Sequence, residues 1–198
     1  MELSKFQESL LVLSAMKTII ENDLRVFKRY IDDEDLKFSL NNKMLVDVCS
    51  FLAEWKRFNN YAKNDASIRE TMKITAPAIK RISKWKGLEG MRNTLLAHGH
   101  RDDNNHGKLT CLNKRYFEAD VPHNYAETML LSEFCIYVIS AFIARHTEDY
   151  EHAKASLPDW KLSEGKGISK ISEFHHEVAE LEKHMFGLDP SLKASFGY

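Results

Sequence analysis

Helix-breaking residues are scarce in this sequence: 8 glycines and 4 prolines among 198 residues. Few strand or turn signals therefore compete with helix. The three cysteines, Cys49, Cys111 and Cys135, are odd in number and form no CxxC pair. Neither a disulfide framework nor a cysteine zinc site is suggested, and they read as reduced thiols. Charge of one sign is not in excess, with 28 basic against 29 acidic residues and a formal charge of -1. Such a chain has no whole-surface field for nucleic acid or anionic membrane, so any polyanion site must be local. The longest greasy stretch, MLLSEFCIYVISAFIA from Met129 to Ala144, is interrupted by Glu133 and falls short of the roughly 20 residues of a membrane span. The N-terminal MELSKFQESLLVL scatters charges among its apolar positions, unlike a signal peptide. These absences lead us to expect a cytoplasmic protein with no membrane association. No glycine-rich phosphate loop, nucleophile elbow or HExxH occurs.

What is present is an apolar residue every three or four positions, so the expected fold is all-α, an up-and-down helical bundle. Leu3, Phe6, Leu10, Leu13, Ile20, Leu24, Phe27 and Ile31 fall near one face of a first helix, which the acidic run Asp32 to Asp35 should end as a solvated turn. Leu45, Val48, Leu52, Trp55, Phe58 and Ala62 predict a second helix over about 42–63. SIRE, Ser67 to Glu70, reads as a capping box opening a third, with a kink or restart near Thr75 because Pro77 lies inside it. NYAE, Asn124 to Glu127, opens a long helix that is apolar on nearly every side and should be the centre of the bundle. Between them, residues 99–123 have no helical period, and KLTCL, Lys108 to Leu112, has the pattern of a short strand. Trp55, Trp85 and Trp160 read as packing residues, with base stacking a second role open to Trp85 between Lys84 and Lys86. The expected organisation is a bundle over 1–155, a linker over 156–167, and a C-terminal extension over 168–198. In the extension Ile168, Ile171, Phe174, Val178, Leu181 and Met185 form an amphipathic stripe that must dock on the bundle or on a second copy.

The stretch with chemical content is GLEGMRNTLLAHGHRDD, Gly87 to Asp103. At about 100° per residue, Leu88, Met91, Leu95 and His98 share one stripe, and Arg92 and His98 stand roughly 60° to either side of Leu95. Within one chain a close pairing of the two is awkward. If Leu95 packs on its own symmetry mate, a two-fold axis carries each Arg92 toward the partner's His98. Gly99 suits the position just past a helix end, which would place His98 in the last turn, where the helix dipole favours the imidazolium. Lys80, Arg81, Lys84, Lys86 and Arg92 against the single acid Glu89 make 80–92 a local +4, the place where a phosphate would be drawn. The ordinary structural reading stands beside this one: histidine is common at helix C-termini, and an arginine at a helix start often pairs with a neighbouring acid. His98, His100, Asp102, Asp103 and His106 are also dense enough to raise a metal site, but their order matches no ligand spacing, and none is assigned. FHHE, Phe174 to Glu177, reads as a solvated face.

RNTLLAH, Arg92 to His98, resembles the signature of the HEPN domain family, an arginine, a polar residue, four more residues and a histidine. The order of long helices over about 1–155 also resembles that family, and in particular its abortive-infection branch. The resemblance implies a homodimeric bundle of toxin-antitoxin, phage-defence or RNA-processing type and, in active members, a metal-independent endoribonuclease without cofactor. Carried over to this chain, His98 would be the general acid or base, Arg92 would hold and neutralise the phosphate, and Asn93 would support the site. Lys84, Lys86, His100 and Arg101 are the candidate RNA contacts, and a cognate antitoxin protein is a candidate partner. The competing expectation is a non-catalytic module of the same fold that binds a nucleotide, a nucleic acid or a protein.

Overall fold

The computed structural model describes residues 3–92, 118–157, 167–191 and 193. Among these every regular element is a helix: α1 (Lys5–Arg29), α2 (Glu34–Tyr61), α3 (Ala66–Ile82), α4 (Leu88–Met91), α5 (Tyr125–Arg145), α6 (Thr147–Ala155) and α7 (Ile171–Leu188). The chain divides into two compact units, Met1–Leu157 and Pro158–Tyr198. The segment 108–112, where a strand was expected, lies outside the described residues.

In the first unit α5 is the hub, packing against α1, α2, α3 and α6, while α1 also packs along α2. Burial follows the periodicity: Leu10, Leu13, Ile20, Leu24 and Phe27 of α1 and Leu45, Val48, Trp55, Phe58 and Ala62 of α2 are inside. Ile31 is exposed because α1 stops at Arg29, two residues short of the apolar pattern's end. The aromatic heart is Trp55, stacked on Phe58 at 5.7 Å and edge-on to Phe142 at 5.3 Å. This buried packing is what selects the bundle over the unfolded chain, at roughly 1.5–3 kcal/mol for each large apolar side chain removed from water. Central as it is, α5 is not apolar on every side toward protein, since Tyr137 remains 68% exposed. By length and composition alone its 21 residues could cross a membrane, but they carry the core residues Leu131, Cys135, Val138, Ile139 and Phe142.

Two helix starts differ from the sequence expectation for the same reason, an aspartate better placed to cap. Asp33 accepts the Leu36 N–H at 3.0 Å, and Glu34 and Asp35 occupy the first turn, where the helix's partial positive charge favours carboxylates. The acidic run thus begins α2 eight residues earlier than the apolar stripe alone suggests. Asp65, not Ser67, caps α3, accepting N–H groups from Ser67 and Ile68 at 2.8 and 3.1 Å. Nor does Pro77 divide α3, which runs unbroken from Ala66 to Ile82.

One buried polar group lies among the aromatics. Thr71 donates its hydroxyl hydrogen to the Ser67 carbonyl at 3.0 Å and accepts from the Arg145 Nε at 2.9 Å. The His146 Nε2, 3.1 Å away, must therefore be a donor to the remaining lone pair. The imidazole packs edge-on to Phe6 and is stacked on Phe142, and burial holds its pKa below the ordinary histidine value.

Candidate functional site

The end of α3 delivers its basic residues to the surface. Lys80 and Lys84 are exposed and Arg81 half-buried, and with Pro77, Ser83 and Lys86 they line a groove of about 520 Å³. Among the described residues Lys80, Lys84 and Lys86 take part in no ion pair, but Arg81 does. Its Nη2 donates to Glu127 at 2.6 Å, and the other oxygen of that carboxylate accepts the Trp85 indole N–H at 3.0 Å. Glu127 therefore performs no reciprocal capping for α5, where Asn124 alone accepts the Ala126 N–H. The local +4 read from residues 80–92 is correspondingly reduced in space, because Glu127 arrives from another helix. Trp85 is half-buried, tethered by that bond, with the Lys84 ammonium 6.0 Å from its ring centre.

Gly87 lets the chain turn from this groove toward Arg92. Its N–H donates to the Asp120 carbonyl at 2.9 Å, and the neighbouring Lys86 N–H donates to the Asp120 carboxylate at 2.9 Å. A side chain at 87 would put its Cβ 2.8 Å from the Asp120 backbone nitrogen, so only glycine permits the approach. Val121 is buried beside this clamp. Residues 87 and 120 are thereby fastened to each other, although nothing in the sequence distinguishes Asp120 from the acids near it.

Arg92 follows directly as the C-cap of α4, with helical backbone angles of φ -54 and ψ -50. It is half-buried and lines a cavity of about 350 Å³ with Leu52, Trp55, Lys56, Ser83, Trp85, Lys86 and Leu88 among its walls. Ser83 and Lys86 belong to this cavity and to the lysine groove alike, so the two form neighbouring stations around one turn. Lys56 pairs with Glu89 at 3.1 Å, with both side chains largely exposed. Cys49 closes the back of the cavity as a hydrogen-bond donor to the Leu88 carbonyl at 3.2 Å. Burial pushes its thiol pKa up to about 11, so at neutral pH it is not a nucleophile.

No family model, curated protein or solved structure matches this chain. The site rests on its own geometry. Of the residues expected from the RNTLLAH motif, Arg92 is placed at the cavity. Asn93, Leu95, His98, His100 and Arg101 lie outside the described residues, as do Asp102, Asp103 and His106 of the weighed metal cluster. Lys84 and Lys86 line the groove. The α2 contribution, Leu52 and Lys56, was not visible as part of a site, since each fits its helix's ordinary alternation of buried and exposed faces. Trp55 is a core residue with one edge on the cavity. No cluster of three or more metal-ligating side chains occurs among the described residues. His175, His176 and Glu177 are exposed on α7.

Proposed function

We propose that this chain is a metal-independent endoribonuclease of toxin-antitoxin or phage-defence type, with a site completed by Arg92, Asn93 and His98 where two copies meet. The observation that carries the reading is the position of Arg92, at a cavity of about 350 Å³ that shares Ser83 and Lys86 with a groove bearing Lys80 and Lys84. A guanidinium grips phosphate oxygens in two-pronged fashion, and the lysines supply the sequence-independent attraction that an RNA backbone needs. In the reaction, a base takes the proton of a ribose 2′-OH, the oxygen attacks the adjacent phosphorus, and the 5′-oxygen leaves and is protonated. His98 serves as acid or base in that exchange, and Arg92 neutralises the charge that grows on the phosphate. An antitoxin protein covering the groove is the regulatory partner this reading implies, in the cytoplasm.

A second reading also has an observation in its favour: the described lining of the Arg92 cavity sets the Trp85 ring beside Lys86 and Arg92, an aromatic face and cations of the kind that hold a base and its phosphate. On that account the chain binds a nucleotide or RNA without cutting it. The two separate in one assay on single-stranded RNA in EDTA with wild type, Arg92→Ala and His98→Ala. The enzyme reading expects each variant to lose about 100-fold or more in cleavage with an unchanged melting temperature. Equal cleavage by wild type and His98→Ala overturns it. Binding without cleavage, weakened by Arg92→Ala, establishes the module instead.

A further inference from the structure

The second unit contributes α7, which carries an exposed apolar seam. α7 buries no residue, and Ile171, Phe174, Val178, Leu181 and Leu188 are all exposed, Ile171 to 71% and Leu188 to 76%. With the half-buried Met185 these six recur at spacings of 3, 4, 3, 4 and 3. A helix packed on a globular core carries a broader stripe, whereas this strict alternation is the narrow seam of a two-helix coiled coil. The residues flanking the seam confirm its width, for they are polar or charged throughout: Lys170, His175, Glu177, Glu182, His184 and Asp189. At 18 residues the helix is only a little beyond the length at which isolated helices are marginal in water, so its stability calls for a packed face.

The residues beside the seam set the orientation. We propose that α7 binds a second copy of itself, antiparallel. Reversed end for end, the pattern superposes on itself: Ile171 meets the partner's Leu188, Phe174 meets the partner's Met185, and Val178 meets the partner's Leu181, leaving no seam position unmatched. Flanking residues then face their own kind across the seam, His175 toward the partner's Glu182 and Glu177 toward the partner's His184. Every such contact joins an imidazole to a carboxylate, and by symmetry each occurs twice. A parallel pair would set Glu177 against the partner's Glu182, two carboxylates, and Lys170 against the partner's His175, where neither side offers a carboxylate, with only His184 and the partner's Asp189 in its favour. This contact is independent of the nuclease reading and of any interface through Leu95.

Disulfide trapping in the full chain tests it, in a Cys111→Ser background where Cys49 and Cys135 are buried. Antiparallel pairing predicts that a mixture of Val178→Cys and Leu181→Cys oxidises chiefly to the mixed disulfide, and that each variant alone stays largely monomeric on a non-reducing gel. His176→Cys, on the outer face, should not cross-link with Leu181→Cys, and circular dichroism should show unchanged helix content in all three. Val178→Cys linking mainly to itself would mean a parallel pair and overturn the proposal. So would cross-linking by His176→Cys at an equal rate, or no disulfide in any mixture, the result expected if α7 docks on its own bundle or on another protein.

Discussion

Alanine introduced at Gly87 and at Gly90, three residues apart, should have opposite effects. At Gly87 the new methyl would sit 2.8 Å from the Asp120 nitrogen and 3.0 Å from its carbonyl carbon and oxygen, against an ordinary contact of roughly 3.5–4.0 Å. Relief requires the Asp120 backbone to retreat by about half an ångström or more, which takes both 2.9 Å hydrogen bonds of the clamp beyond good geometry. Those bonds border solvent, so water replaces part of what is lost, and we assign them about 1 kcal/mol each. Strain from an overfilled contact adds roughly 1 kcal/mol. Against this, alanine reduces the freedom of the unfolded chain, which returns about 0.4–1 kcal/mol because φ at 87 is -81 and suits any residue. The net loss is about 2 kcal/mol, or roughly 4–8 °C in melting temperature for a unit of this size. At Gly90 an added Cβ meets nothing within 4 Å, so Gly90→Ala should raise stability by about 0.5–1 kcal/mol. Thermal melts followed by circular dichroism measure both. If Gly87→Ala melts at or above wild type, the clamp does not hold the chain as described.

Two further predictions concern pH. Burial lowers the His146 pKa, so its contribution to stability is present above the ordinary histidine value of about 6.5 and is lost as the pH falls below it; His146→Gln should lose less melting temperature between pH 7.5 and 5.5 than wild type, and an equal loss refutes the assignment. Asp47 goes the other way: burial first, then its hydrogen bond with Asp23, raises its pKa to about 6, while Lys43 bonds to both carboxylates. Its contribution is present below the unfolded carboxyl range and is lost as the pH rises through about 6, so Asp47→Asn should gain on wild type between pH 5 and 7.5. A constant difference in melting temperature across that range would contradict it.

The bundle was readable because its signal is repeated. Each of α1, α2 and α5 states its buried face five or more times, so a local irregularity such as Glu133 does not mislead, whereas in the shorter α3 the single Pro77 suggested a break that the helix does not make. Helix starts were read less well, since Asp33 and Asp65 act through one or two hydrogen bonds each that neighbouring residues could equally have made. The site divides along the same line. Lys84, Lys86 and Arg92 were legible as a cluster of charge close in sequence. Glu127, Asp120 and Lys56 were not, for they reach the site from 33 to 46 positions away, and their roles depend on which helix lies alongside which. Trp85 shows both sides: its place between two lysines was plain, and its tether to Glu127 was invisible.

The clamp at Asp120 has an architectural meaning beyond its strength. Because residues 87 and 120 are bonded to each other, the segment between them starts and finishes at one place on the bundle. Joining two ends through a longer segment costs only about 0.6 kcal/mol for each doubling. Extra length inserted between Arg92 and Glu118 would thus weigh little on the bundle, while Leu88 and Arg92 keep their own contacts with it.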